Sequence, residues 1–143
     1  MSEKEENIIL IKKVIALSGY DREKFAEAVL DMKLGTLNAK ISGKHSVFND
    51  SEIAEAWNYA RKNGFWDEYG FKYETDDILL LWKRVMDFTL LPIYDIGLRL
   101  EIQQQKIYRY HRMEYDKVSA DETKKILALA SEHNLRAVLK FKA

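Results

Sequence analysis

Cysteine is absent from the 143 residues. That excludes a disulfide framework, a thiolate metal centre and cysteine nucleophilic catalysis, and it fits a reducing compartment. Long apolar runs are missing as well. The longest, residues 8–11 and 78–82, are far shorter than the ~20 residues a membrane-spanning helix needs. No secretion signal is evident, so a soluble, cytoplasmic protein without membrane partners is expected. Neither sign of charge dominates: 23 basic residues face 23 acidic ones, and residues 1–64 hold ten of each. Non-specific DNA affinity comes mainly from cations that displace condensed counterions, so a single copy of such a chain should bind DNA modestly.

Catalytic constellations are also lacking. His45, His111 and His133 form no short metal-ligand spacing. There is no glycine-rich phosphate loop and no G-x-S-x-G elbow. The acidic pairs Asp67 with Glu68 and Asp76 with Asp77 read as solvated charges or helix-start residues. The expectation is a non-enzyme without metal or cofactor. With 47% apolar and 12% aromatic residues, a packed core is well supplied.

Helical periodicity opens the chain. Ile8, Ile11, Val14, Ile15 and Leu17 recur at helical spacing, Ser18, Gly19 and Tyr20 interrupt it, and a second helix starts at Asp21. Residues 25–53, FAEAVLDMKLGTLNAKISGKHSVFNDSEI, carry the strongest pattern. Leu34, Leu37 and Ile41 are spaced i, i+3 and i+7, which leaves Gly35, Asn38, Ala39 and Ser42 on the opposite face.

This stretch resembles the helix-turn-helix domains of phage regulators of the Cro and lambda-repressor-like class. Phe25, Ala26 and Ala28 fall where that family places the inward face of its second helix. Thr36, Leu37, Asn38, Lys40, Ile41, Gly43 and Lys44 reproduce most of its recognition-helix signature. There are departures: one residue too many at Val29 or Leu30, Asp31 for the usual turn glycine, Lys33 for the usual capping Ser or Thr, and an inserted Val47. Asp31 tolerates the left-handed backbone, whereas Lys33 cannot cap through a side-chain oxygen. The resemblance implies a DNA-facing set of Lys33, Gly35, Thr36, Asn38, Ala39, Lys40, Ser42 and Lys44. In that set Asn38 is the base reader, through its amide, and Lys33, Thr36, Lys40 and Lys44 meet phosphates. It also implies a homodimer on double-stranded operator DNA.

Past Gly64 the composition changes. Phe65, Trp66, Tyr69, Phe71 and Tyr73 crowd residues 65–73, and aromatics at that density seek burial or a partner. Thr75 can cap a helix from Asp76, with Ile78, Leu81, Trp82, Val85 and Phe88 or Thr89 on its buried face and Pro92, the one proline, beyond its end. Ile96, Leu98, Leu100 and Ile102 alternate with polar residues and Gly97, the period of a strand. Residues 107–115 are expected to form a second strand. Ser119 and Glu122 form a capping box for a helix ending near Asn134, and Ala137, Leu139 and Phe141 alternate as a closing strand.

The fold class expected is α+β: an N-terminal all-α helix-turn-helix bundle over residues 1–64, an aromatic hinge over 65–74, and a small α+β domain over 75–143 for dimerisation or effector binding. Lys106, Arg109 and Arg112 interleave with Tyr108 and Tyr110 without an acid. Such a mixture holds phosphates and bases or anchors a protein interface. The partner-binding set is therefore Trp66, Tyr69, Tyr108, Arg109, Tyr110 and Arg112. The leading function is a phage or mobile-element transcriptional regulator. A second reading follows from an architecture similar to that of phage anti-defence proteins, anti-CRISPR proteins included. There the C-terminal half inhibits a host protein or ribonucleoprotein such as a nuclease complex, and the helix-turn-helix regulates its own expression.

Overall fold

The computed structural model describes residues 1–114 and 117–140. The chain is a mixed α+β protein, mostly helical, with one small open three-stranded sheet. It divides into two compact units, Met1–Trp66 and Asp67–Ala143. Among the described residues no helix is long and apolar enough to cross a membrane.

In the first unit, α1 (Glu3–Ser18) is capped by Ser2, whose hydroxyl accepts from the Glu5 N–H, and it ends at Gly19 in the left-handed region. Leu10, Ile11, Val14 and Leu17 are buried along one face. Helix α2 (Arg22–Phe25) runs without a break into a π-helical turn, Ala26–Leu30. It is followed by α3 (Leu34–Ser42) and α4 (Asp50–Lys62). At the start of α4, Asn49 and Glu52 form a reciprocal capping box. Phe25, Ala26, Leu37, Ala56 and Ala60 are fully enclosed, and the Phe25 ring stands edge-on to Tyr59 at 5.7 Å between centroids. Ala28, expected on the inward face, is exposed, because the widened π turn shifts the facing of the residues within it.

Within residues 65–74, Trp66–Asp67 and the stretch from Gly70 are strand, joined by a turn at Glu68 and Tyr69. Phe65 lies 6.1 Å from the Tyr59 ring and Trp66 4.5 Å from the Trp57 ring. The sheet comprises β1 (Trp66–Asp67), β2 (Gly70–Thr75) and β3 (Leu135–Leu139), in that order. β2 and β3 pair in parallel, Phe71 with Leu135 through Thr75 with Leu139. A parallel pair needs a long crossover. Four helices supply it: α5 (Ile78–Thr89), α6 (Ile93–Leu100), α7 (Gln104–His111) and α8 (Ala120–Glu132).

The stripe expected on α5 is present, with Leu81, Trp82, Val85, Phe88 and Thr89 buried. Its cap is Asp77 rather than Thr75: the Asp77 carboxylate accepts from the N–H groups of Leu79 and Leu80, while Thr75 Oγ1 receives the Asp77 N–H. The capping box at Ser119 and Glu122 is present on α8.

Two expected strands are helices. Residues 96–103 belong largely to α6, whose buried face is Ile96, Gly97 and Leu100, while Leu98 is 59% exposed. Ile96 and Leu100 satisfy the strand period and the helical one equally. Pro92, with φ −59°, stands at the start of α6 and supplies a backbone angle suited to helix entry. The second expected strand is α7 up to His111, with Ile107 and Tyr110 buried one turn apart; Tyr115 lies outside the described residues. The closing strand is present as β3, but it pairs with β2, and Phe141 falls outside the described residues.

Glu74 ties the parallel pair together, with Lys72 Nζ and Lys140 Nζ each 2.7 Å from its carboxylate. The bond from Lys140, and then that from Lys72, lowers its pKa from the ordinary 4.5 to about 2. A carboxylate with a depressed folded-state pKa stabilises fully above its unfolded value and loses that contribution as pH falls toward the folded one. The Glu74 carboxyl carbon should therefore titrate with a midpoint near 2 by NMR. Glu74→Gln should flatten the pH dependence of thermal unfolding between about 4.5 and 2; an ordinary midpoint would show the three-residue bridge to be absent in solution.

Candidate nucleic-acid interface

The site is built on the π turn. Asp21 caps α2 by accepting the Lys24 N–H at 2.8 Å. After Phe25 the helix widens into a single π turn, a feature found as one-turn bulges within α-helices. The N–H groups of Asp31 and Met32 both converge on the Ala26 carbonyl, the latter at 3.0 Å. Asp31 adopts φ 51°, ψ 50°, the left-handed geometry expected of it in place of glycine. Lys33 precedes α3 in an extended conformation with no side-chain cap, also as expected.

Helix α3 buries Leu37 and Ile41, four residues apart, against the unit. Leu34, expected on the same face, is 36% exposed, because it lies in the first turn beyond the core contact. Gly35, Thr36, Asn38, Ala39 and Ser42 all face solvent. A Cβ placed on Gly35 would meet no atom within 4 Å, so the helix surface is open there to close approach. Lys33 and Lys44 are exposed at the two ends.

Two side chains behave differently from the rest. Arg22, the first residue of α2, donates from Nη1 to Asn38 Oδ1 at 3.0 Å. Lys40 does not project outward: its ammonium bonds both oxygens of Glu52 at 2.6 Å, and the two side chains are only 14% and 15% exposed. One Glu52 oxygen also accepts the Asn49 N–H at 3.0 Å, so a single carboxylate joins α3 to the capped start of α4. Lys40 is thus an internal tie, a correction to its expected role at a phosphate. Neither Arg22 nor Glu52 was among the residues expected at the site. Arg22 is marked in the sequence only by following the Asp21 cap, and Glu52 by its place in N-D-S-E.

The expected partner-binding residues fall on different elements. Trp66 is half-buried. Tyr69 is 75% exposed, with the Arg136 guanidinium 5.6 Å from its ring centroid. Arg136 also pairs with Asp67. The Tyr69 N–H, and with it Arg136, holds the Asp67 carboxyl below its ordinary pKa. Tyr108 and Arg109 are exposed on α7, and Arg112 is exposed just past its end.

Tyr110 is fully buried and leaves the partner-facing set. Its ring lies 4.7 Å from Trp82 and its hydroxyl donates to Glu122 Oε2 at 3.0 Å. Burial alone would raise the Glu122 pKa, but bonds from Lys106, Ser119 and Tyr110 bring it below the ordinary value. The exposure expected of Tyr110 rested on strand alternation, which the helix replaces. His111 bonds Asp87 at 2.6 Å. Among the described residues no group of three or more histidines and carboxylates could hold a metal ion. The chain matches no protein-family model, no curated protein and no solved structure.

Proposed function

We propose that the first unit is a helix-turn-helix DNA-binding domain of the phage-repressor type, and that the protein is a sequence-specific transcriptional regulator acting as a dimer on operator DNA. The observation that carries this reading is the outer face of α3. Gly35, Thr36, Asn38, Ala39 and Ser42 are small or polar and exposed, on a helix reached through a tight left-handed turn at Asp31. A second helix presented in this way enters the major groove in helix-turn-helix proteins. The Arg22 guanidinium bonds Asn38 Oδ1, which supports a reading in which the Asn38 Nδ2 donates to adenine N7. Ten basic against ten acidic residues in 1–64 give one copy little net attraction, which is why two copies are proposed.

Selection of bound duplexes from a random pool tests the reading. The wild-type chain should enrich a motif with two half-sites about one helical turn apart. Asn38→Ala should relax one base pair per half-site, at a cost of about 1–3 kcal/mol. Lys33→Ala and Lys44→Ala should weaken all sequences alike and each lower the salt slope by about 1. Lys40→Ala should instead lower the thermal midpoint, because it strands a largely buried Glu52. If no motif is enriched at low salt, the first unit does not read DNA.

A further inference from the structure

Helix α6 has apolar groups on two faces, and the second unit covers one of them. Ile96, Gly97 and Leu100 are buried, and a Cβ on Gly97 would stand 3.1 Å from Ile107 Cγ2, so this face meets α7 directly. The connection between the helices is short. Glu101 turns the chain through the left-handed region (φ 54°, ψ 46°), the Ile102 N–H returns to the Gly97 carbonyl at 3.0 Å, and the Gln104 amide donates to the Tyr94 carbonyl at 3.2 Å. α6 is thereby held at both ends, and its outward face is held with it.

That outward face is two parallel rows, Tyr94 with Leu98 and Asp95 with Arg99, and all four side chains are exposed. Leu98 is 59% and Tyr94 54% exposed, one helical turn apart, so they form one apolar patch. A helix that is apolar on opposite sides is the pattern of an enclosed element, yet this side meets water. An acid four residues before a base is the favourable order for pairing within a helix. Neither Asp95 nor Arg99 forms an ion pair among the described residues.

This pattern is complementary to its own reverse. A twofold axis that crosses α6 at right angles near Gly97 sets two copies of the helix antiparallel, as an isologous contact requires, and each row then meets itself reversed. Tyr94 faces Leu98 of the partner subunit and Asp95 faces Arg99 of the partner subunit, each contact occurring twice. Parallel helices would instead set the charged row against the apolar one. We infer that the outward face of α6 is the contact between two copies of this chain. The charges select this occupant: Asp95 opposes a phosphate backbone, and a lipid surface calls for a face rich in lysine and arginine. The inference goes beyond the DNA reading, which calls for a dimer without locating it.

An eight-residue helix is about 12 Å long, and an interface centred on it falls below the roughly 800 Å² per partner of a standard complex. The dimer should therefore be weak, with a dissociation constant of order 100 µM. Adjacent half-sites on one duplex would raise the local concentration of the second copy to about millimolar, which is enough to form it.

Sedimentation equilibrium of the full chain without DNA, from about 10 to 500 µM, brackets that constant. The mean mass should climb from monomer toward dimer. Leu98→Glu should weaken association at least about tenfold. Asp95→Arg should weaken it as well by setting like charges opposite each other, and the exchange Asp95→Arg/Arg99→Asp should restore it to within about threefold of wild type. Lys124→Glu, at an exposed lysine on α8, is the charge-change control and should match wild type. Every side chain changed is exposed, so the thermal midpoints should hold.

A chain that stays monomeric to the highest concentration overturns the inference and leaves the face to a different protein. A dimer indifferent to Leu98→Glu, or an exchange variant that does not recover, overturns it too, while a selected motif with two half-sites would still support the first unit. Dimerisation through α6 with no motif enriched would uphold the inference and remove the DNA reading.

Discussion

Phe25→Ala should destabilise the first unit by about 3–5 kcal/mol, the range for removing a fully enclosed aromatic ring. Phe25 is completely buried, its ring meets Tyr59 of α4 edge-on, and it is the last residue before the π turn. Truncation therefore empties the core at the point where α2 is held and where the approach of α3 is set. Because the chain has two compact units, a single unfolding free energy would blur the effect. Amide exchange in urea, read separately over α3 and α4 and over α5 and α8, resolves it. Protection should collapse in the first pair and persist in the second. A loss below about 1 kcal/mol would be too small for a ring of this burial and would remove Phe25 from the core.

Gly97→Leu should destabilise the second unit by about 1–3 kcal/mol. The amide tip of Gln104 can swing away from a new Cβ, but Ile107 is fully buried and its Cγ2 would lie 3.1 Å from that carbon. The further carbons of leucine have nowhere to go without parting α6 from α7, and overpacking of this kind costs about 1–3 kcal/mol or more. Gly97→Ala separates sterics from helix propensity. It meets the same first contacts, but alanine gains about 1 kcal/mol over glycine inside a helix, so the net change should be small. Calorimetric midpoints of the two variants should therefore diverge, with alanine near wild type and leucine well below it. Equal midpoints would mean that α6 and α7 are not in close contact at Gly97.

Much of the first unit is legible from residue order. The face of α1, the break at Gly19, the left-handed Asp31, the uncapped Lys33 and the buried pair Leu37 and Ile41 all follow from local chemistry, which needs only a few neighbouring residues to declare itself. The π turn is different. Whether a helix widens at one turn depends on what it packs against, and here the widened turn leaves Ala28 exposed. Lys40 was misplaced for a related reason: its partner Glu52 is twelve residues away on another helix.

In the second unit the short helices defeated periodicity. Across two turns, Ile96 and Leu100 fit both periods, and only the exposure of Leu98 separates them. Strand β2 left a usable signal in the alternation of Phe71, Tyr73 and Thr75, masked by the density of aromatics before it. Its partner β3 could be found as a strand, but no local feature names a parallel neighbour on the far side of four helices.

That pairing has a consequence for the order in which the chain assembles. The first unit closes by packing α1 on α3 and α4 and the π turn on α4, within a shorter span of chain than the one that separates the paired strands of the sheet. The second joins Phe71 to Leu135 only after everything between them has been brought round, and loop closure on that scale slows folding. On a ribosome, β2 would wait beside an unfilled edge until β3 emerges. The first unit would by then be complete, so the late-closing sheet is the stage at which a nascent chain is most open to mispairing with a neighbour.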